Sequence, residues 1–264
     1  MGDPMPDNEM LQERRGSTLW VTLNRPQARN ALTFAMYGDL ARICSSVTRD
    51  DGIKAIVLIG AGEKAFAAGT DMTQFRAFST DQDALDYEHR IYVVLEAVEK
   101  CPVPTIAAIS GACTGGGAGI AAACDIRIAT ADLKMGFPIA RTLGNCLSIS
   151  NLSRLSGLMG AGRVKEMIFT ARLIGAEEAK AVGLIAEIVP DHTALVSRAA
   201  ELADTLAGHA PLTLRTTKEG LRRLRIDGAG ADDRDLVVEA YMSEDFREGL
   251  EAFLGKRKPE WKGR

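Results

Sequence analysis

Two glycine-rich segments are the part of this sequence best suited to hold a reactive anion. One spans residues 64–71, and the other spans residues 111–119 and leads directly into a predicted helix. Glycine lets the backbone approach a ligand closely, and the first N–H groups of a helix have no partner within it. Two turns that each aim one N–H at the same point form an oxyanion hole, which stabilises negative charge on a carbonyl oxygen.

Neither segment matches the common phosphate-binding loops. A P-loop needs Gly-Lys followed by Ser or Thr, and a dinucleotide-binding turn needs Gly-x-Gly-x-x-Gly after the first strand. The run Gly115 to Gly119 fits neither spacing. The pair of turns therefore favours carbonyl chemistry.

The elements around these turns alternate between strand and helix. Each turn follows a short apolar run typical of a buried strand, and amphipathic stretches separate the runs. Predicted strands are 19–23, 55–59, 105–109, 126–129 and 184–189. Predicted helices are 33–47, 80–100, and an alanine-rich helix that follows the second glycine turn and ends at Cys124; nearly all of 192–253 is also helical except 227–230. Thr80 with Asp83 fits a capping box at the start of the second of these helices. This order predicts a layered α/β core. We divide the chain into a flexible N-terminal tail (1–15), an α/β core (16–205) and a helical C-terminal region (206–264).

Composition narrows the class of protein. The chain has 264 residues, 46% of them apolar, and a formal charge of -3. No apolar run approaches the ~20 residues that span a bilayer, so we expect a cytoplasmic protein without a membrane partner. The net negative charge argues against nucleic acid. Five cysteines without a C-x-x-C pair predict neither a disulfide framework nor a metal site.

At these motifs the sequence resembles the crotonase (enoyl-CoA hydratase/isomerase) superfamily. The resemblance covers roughly residues 19–258 and is carried by the segments 24–26 with 30–32, 66–71, 104–111 with 115–117, and 252–253 with 256–258. It implies a crotonase-like spiral of β-β-α units whose helical C-terminal region mediates trimerisation, giving a homotrimer or a dimer of trimers. The implied substrate is an acyl-CoA thioester, with coenzyme A as part of the substrate and no tightly bound cofactor.

The resemblance also implies roles for individual residues. The backbone N–H groups of Thr70 and Gly116 would form the oxyanion hole. The nucleotide would be held by residues spread along the chain: the backbone of Ala68, Arg25 or Arg29 near the phosphates, and Phe253 with Lys256 from the same or a neighbouring subunit. Asp71 is expected to cap the helix after the first turn.

One departure from the family pattern concerns the two glutamates with which a hydratase adds water. Their positions fall at Gly119 and at Ile139, or Ala140 if the alignment slips by one. General acid–base groups contribute about 10² to 10⁴ each in rate, so we do not expect efficient hydration. Isomerase, decarboxylase and hydrolase chemistry stay open, as does a catalytically silent acyl-CoA-binding or scaffold subunit.

The helix at 80–100 carries side chains that could replace the two missing glutamates as acid–base groups. Glu88, His89 and Tyr92 lie close to one face, because residues three and four apart are neighbours. Some relatives carry a catalytic histidine on this helix, and Tyr92 falls at its position. Histidine is the usual base at neutral pH, which favours His89. Asn145 could polarise a carbonyl. We therefore predict His89, Tyr92 and Asn145 as catalytic residues beside Thr70 and Gly116.

Overall fold

Two β-sheets and ten α-helices make up the fold in the computed structural model, which describes residues 8–264. The strands are β1 (Met10–Arg15), β2 (Thr18–Leu23), β3 (Ala55–Gly60), β4 (Ala65–Ala67), β5 (Thr105–Ile109), β6 (Ala112–Thr114), β7 (Ile126–Thr130), β8 (Lys134–Gly136) and β9 (Glu187–Val189). The larger sheet has the order β1-β2-β3-β5-β7-β9, and the smaller one β4-β6-β8. All pairings are parallel except that of β1 with β2.

The helices follow the strands in a regular order. They are α1 (Phe34–Ser46), α2 (Asp81–Lys100), α3 (Gly116–Ala123), α4 (Ile139–Thr142), α5 (Ile149–Thr170), α6 (Ala176–Ala181), α7 (His192–Ala207), α8 (Pro211–Asp227), α9 (Arg234–Tyr241) and α10 (Glu244–Leu254). Three times the chain forms one strand of the larger sheet, one strand of the smaller sheet and then a helix: β3-β4-α2, β5-β6-α3 and β7-β8-α4. The predicted α/β class, a spiral of β-β-α units with a helical C-terminal region, is confirmed.

The larger sheet is covered on both faces. All six residues of β3 are buried. Successive side chains of a strand point to opposite faces, so Ile56 and Leu58 join the cluster that also contains Leu40 of α1. Val57 joins the opposite cluster with Leu195 of α7. Burial on both sides explains the uninterrupted apolar run from which the strand was predicted.

The N-terminal prediction needs a correction. Residues 10–15 were expected to belong to a flexible tail, but they form β1, which pairs with the whole length of β2. Only Met10 in β1 is buried, because the strand lies at the edge of the sheet with its other side chains exposed. Its polar sequence therefore lacked the apolar alternation that identifies a strand. Residues 1–7 of the predicted tail lie outside the described residues.

Helix α2 begins as the sequence predicted. Thr80 is its N-cap residue and accepts a hydrogen bond from the backbone N–H of Asp83, whose carboxylate in turn accepts one from the N–H of Thr80. This reciprocal pair is a capping box, and it sets where the helix starts. Among residues 8–264, no helix is long and apolar enough to cross a membrane.

Candidate active site

The two glycine turns lie side by side because they follow neighbouring strands of the smaller sheet. Strands β4 and β6 are parallel, with Ala67 opposite Cys113. The carboxyl ends of neighbouring parallel strands meet at the same edge, which brings Thr70 beside Gly116. Strand β8 pairs with β6 on the other side and delivers Ile139 to the same edge. The smaller sheet, absent from our predictions, is therefore the scaffold of the site.

Both turns present an unused backbone N–H. Leu32 holds the first turn through two bonds, since its N–H donates to Gly69 O (2.8 Å) and its carbonyl accepts from Asp71 N–H (2.8 Å). The N–H of Thr70, which lies between these two residues, takes part in neither bond. Gly116 is the first residue of α3, where an N–H has no partner within the helix. In residues 8–264, neither N–H makes a hydrogen bond.

The backbone at Gly116 is packed too closely for any side chain. A Cβ built there would lie 1.9 Å from the Tyr37 hydroxyl oxygen and 3.2 Å from Thr70 Oγ1. The preceding Gly115 has a φ of 52°, in the left-handed region that glycine adopts without strain. Close approach of the two turns therefore depends on glycine at both positions.

Three hydroxyl groups form a cluster beside these turns. Thr70 Oγ1 lies 2.8 Å from the Tyr37 hydroxyl and 3.0 Å from the Tyr87 hydroxyl. Burial raises the pKa of the Tyr37 phenol and, to a smaller extent, that of Tyr87. Both phenols therefore stay protonated at neutral pH. Sequence reasoning missed both tyrosines, because a tyrosine on an amphipathic helix resembles an ordinary core residue; the signal available was that a buried phenol needs a partner.

A cavity of about 420 Å³ opens in front of the turns. Most of its lining is apolar, and Phe75 and Tyr87 belong to an aromatic group with Phe34 and Phe78 whose ring centroids are 4.8–6.5 Å apart. Besides the residues of the turns, the apolar lining consists of Met72, Phe75, Ile91, Leu95, Phe137, Ile139, Leu143 and Leu147. Such a cavity suits an aliphatic acyl group next to a polar carbonyl.

The two positions where hydratases of the family carry glutamates lie in this cavity. Gly119 and Ile139 both line it, and neither can transfer a proton. A Cβ at position 119 would meet nothing closer than Leu95 Cδ1, at 3.8 Å. Space for a side chain therefore exists at Gly119.

The predictions for helix α2 need a correction. Glu88 and Ile91 line the cavity, whereas His89 and Tyr92 are exposed and do not. The His89 and Tyr92 rings lie together on the outer surface, with centroids 6.4 Å apart. One residue along a helix is a rotation of about 100°, which turns His89 away from the cavity that Glu88 lines. The predicted catalytic roles of His89 and Tyr92 do not fit this geometry.

Glu88 lies in an unusual environment for a carboxylate. Its Oε2 atom is buried and has no hydrogen-bond partner in the described part of the chain. Burial raises the pKa of Glu88, and hydrogen bonds from the Ser148 hydroxyl and N–H oppose this in part. Ser148 is the N-cap residue of α5. A carboxyl group with a raised pKa in a cavity is suited to proton transfer.

The remaining predicted catalytic residue, Asn145, lines the cavity and is exposed. Its neighbour Cys146 also lines the cavity and is exposed. Cys113 is buried, and burial raises the pKa of its thiol well above the ordinary value. A thiol held protonated in this way is a poor nucleophile.

Arg25, predicted near the phosphates, is paired within the chain. Its guanidinium pairs with Glu9 (3.0 Å) and Asp71 (3.0 Å) and donates to Ala31 O (2.6 Å). Two carboxylates balance its charge within the chain, which leaves little to offer a phosphate. Asp71 accepts from the Thr73 hydroxyl and N–H, and these bonds, more than Arg25, lower its pKa. Asp71 thus caps the 3₁₀ helix after the first turn, as predicted.

The other predicted nucleotide-binding residues fall into two places. Ala68 lines the cavity, and its N–H donates to the carbonyl of the exposed Arg29 (3.0 Å), so these two lie together. Phe253 and Lys256 are exposed at the end of α10, and neither lines the cavity. Their roles, like a contribution from a neighbouring subunit, stay predictions.

Comparisons with known proteins give matches over nearly the whole chain, in sequence and in fold. A family model described as enoyl-CoA hydratase/isomerase matches residues 13–264. A short-chain-enoyl-CoA hydratase of Clostridium acetobutylicum is 34% identical over 258 residues, covering 96% of this chain and 97% of that protein. The 2,3-dehydroadipyl-CoA hydratase of Escherichia coli is 32% identical, covering 97% of this chain and 100% of that protein. The crystal structure of an enoyl-CoA hydratase/carnithine racemase from Magnetospirillum magneticum has a TM-score of 0.88 and 33% identity, covering 97% of this chain and 96% of that one.

Proposed function

This chain belongs to the enoyl-CoA hydratase/isomerase family, and we propose that it shifts a double bond in an acyl-CoA thioester through an enolate. The predicted membership of the crotonase superfamily is confirmed by the comparisons. The observation that carries the proposal is the pair of unused N–H groups, of Thr70 and Gly116, at the ends of two neighbouring strands. Two such donors stabilise the thioester oxygen when it becomes negative in an enolate.

The acid–base content of the cavity favours isomerisation over hydration. Hydration needs one group to deprotonate water and another to deliver a proton to the carbon chain. Isomerisation needs a single group that removes a proton from Cα and returns it to Cγ. Gly119 and Ile139 supply no such group, and Glu88 is the one carboxyl that lines the cavity among residues 8–264.

In the proposed complex, coenzyme A enters as part of the substrate, and the chemistry uses no other cofactor. The thioester carbonyl would point between Thr70 and Gly116, with the acyl chain along the apolar lining formed by Phe75, Ile91 and Leu95. The nucleotide would leave past Ala68 at the start of the first turn. The cavity volume of about 420 Å³ suits a short or medium aliphatic chain.

Two thioesters test the proposal in one spectroscopic assay. With 3-hexenoyl-CoA, we expect ultraviolet absorbance to rise as the double bond becomes conjugated with the carbonyl. With crotonyl-CoA, we expect little loss of absorbance, because hydration is slow. Fast hydration of crotonyl-CoA without isomerisation of 3-hexenoyl-CoA would overturn the proposal. Tight binding of both thioesters without either reaction would favour the silent acyl-CoA-binding alternative instead.

A further inference from the structure

We infer that Glu88 is the catalytic base that carries the proton between Cα and Cγ of the substrate. The inference rests on the proposed enolate chemistry and assigns a residue to it. Neither of the two family glutamate positions is involved, since Glu88 reaches the cavity from a different helix, α2. The proton-transfer group has thus moved to another wall of the same cavity.

Elimination within the cavity lining supports this assignment. The titratable side chains that line it are Tyr37, Tyr87, Glu88 and Cys146, among the residues described. Burial keeps both phenols protonated, so they act as donors and not as bases. Cys146 is exposed and lies in the loop before α5. Glu88 is the one carboxylate among these side chains.

The carboxylate is held so that one oxygen remains available. Hydrogen bonds from Ser148 engage the carboxylate, whereas Oε2 is buried without any partner in residues 8–264. A buried oxygen without a partner is costly, and protonation or a bound substrate relieves that cost. Glu88 lines the cavity, and a carboxylate oxygen that accepts no hydrogen bond keeps its lone pairs for proton abstraction.

The position of Glu88 also relates it to the oxyanion site. Glu88 follows Tyr87 on α2, and the Tyr87 hydroxyl lies 3.0 Å from Thr70 Oγ1. Glu88, Thr70 and Gly116 all line the same cavity. A thioester bound at Thr70 and Gly116 would therefore share that cavity with this carboxylate.

The proposed step balances in atoms and charge. The Glu88 carboxylate takes a proton from Cα of a β,γ-unsaturated thioester, and the electron pair of that C–H bond becomes the enolate π bond. The negative charge moves from Glu88 to the thioester oxygen, so the total charge of the site does not change. The protonated carboxyl then delivers the same proton to Cγ, which leaves the α,β-unsaturated product.

Exchange of substrate protons with solvent tests Glu88 separately from the complete reaction. Butyryl-CoA has no double bond to move, but its α-protons exchange in D₂O when the enolate forms and the proton on Glu88 exchanges with solvent before it returns. Mass spectrometry records the deuterium gained. We expect wild-type protein to catalyse exchange and Glu88→Gln to lose about 10² to 10⁴ of that rate. Butyryl-CoA affinity should stay within about threefold, and Glu88→Asp should recover part of the rate.

Asp86→Asn is the matched control, because Asp86 is an exposed carboxylate on the same helix and does not line the cavity. It should exchange at the wild-type rate. The wild-type rate should also fall as pH falls through the raised pKa of Glu88. Exchange that persists in Glu88→Gln would overturn the role of Glu88 and leave the enolate proposal intact. Absence of exchange in the wild type, together with no isomerisation of 3-hexenoyl-CoA, would overturn the enolate proposal itself.

Discussion

The two halves of the candidate site are built by different means. The oxyanion half is made of backbone N–H groups at the ends of β4 and β6, and its position follows from the pairing of those strands. The acid–base half depends on side chains, and here Gly119 and Ile139 replace the two glutamates of a hydratase. A substitution can remove a carboxylate without disturbing the fold, whereas a backbone donor persists as long as its turn does.

This difference explains how chemistry can change within one fold. The structure has both turns and a carboxylate on another helix, so in the proposed mechanism charge stabilisation stays fixed while proton transfer moves. New acid–base side chains should therefore alter the reaction, and any disturbance of the turns should abolish every reaction.

Restoring the two glutamates should produce the largest change. Gly119→Glu with Ile139→Glu places carboxylates at two positions that already line the cavity, and each acid–base group typically contributes about 10² to 10⁴. We expect crotonyl-CoA hydration to rise by at least about 10² over wild type, measured by loss of ultraviolet absorbance.

The amide pair Gly119→Gln with Ile139→Gln is the matched control, because it adds similar volume without a proton-transfer group. Ile139 is 7% exposed, so thermal unfolding of both variants should confirm that the fold tolerates polar atoms there. Equal rates of crotonyl-CoA hydration in the glutamate and glutamine variants would contradict this prediction. The side chains at positions 119 and 139 would then not determine the acid–base chemistry of the site.

Disturbing the backbone half should have the next largest effect. In Gly116→Ala the new Cβ would lie 1.9 Å from the Tyr37 hydroxyl, so the turn or the tyrosine must move. Movement of the turn changes the direction of the backbone N–H at position 116 relative to the substrate oxygen. Loss of one oxyanion donor typically costs about 10² to 10³ in rate. We expect a loss of that size in both α-proton exchange and isomerisation.

Gly157→Ala provides the control for the same substitution, because a Cβ there meets nothing within 4 Å. It should retain wild-type rates. Adding Tyr37→Phe to Gly116→Ala removes the clashing oxygen and leaves the ring carbon at 3.2 Å, so part of the activity should return. Full activity of the single Gly116→Ala variant would show that the oxyanion is not held at this turn.

A smaller effect should appear in stability. The pKa of Glu88 is raised in the folded state, so ionisation of this carboxyl lowers the stability of the fold. This loss of stability is absent below the unfolded-state pKa. It develops as pH rises through the folded-state pKa. Glu88→Gln should therefore stabilise the protein at pH 8 by about 1 kcal/mol and give little gain at pH 4. Urea unfolding at both pH values measures the difference. A loss of stability at pH 8 would mean that the carboxylate is structurally required.

Much of the fold was predictable because apolar residues recur along its long elements at the spacing of a helix or a buried strand. The capping box at Thr80 gave the start of α2, and the apolar run of β3 gave a buried strand. The strands of the smaller sheet have three residues each, which is too short for any alternation to show. Strand β1 is polar because it lies at an edge. Short and exposed strands thus escaped prediction for opposite reasons.

The site was predictable where it depends on glycine and not where it depends on helix phase. The two turns were identified by their glycine content. On α2, the choice among Glu88, His89 and Tyr92 depended on which face met the cavity, and only the packing of α2 shows that face. Tyr37 and Tyr87 were missed because their hydroxyls meet across 50 residues of sequence through Thr70, a contact that no local pattern encodes.

The packing of Tyr37 against Gly116 has a consequence for how sequences of this kind can diverge. With 1.9 Å between the tyrosine oxygen and the place of a Cβ, a side chain at position 116 is acceptable only after the hydroxyl at position 37 has been lost or has moved. The two sites should therefore covary among descendants of this chain. A lineage that acquired phenylalanine at position 37 would be the one from which a non-glycine residue at position 116 could arise.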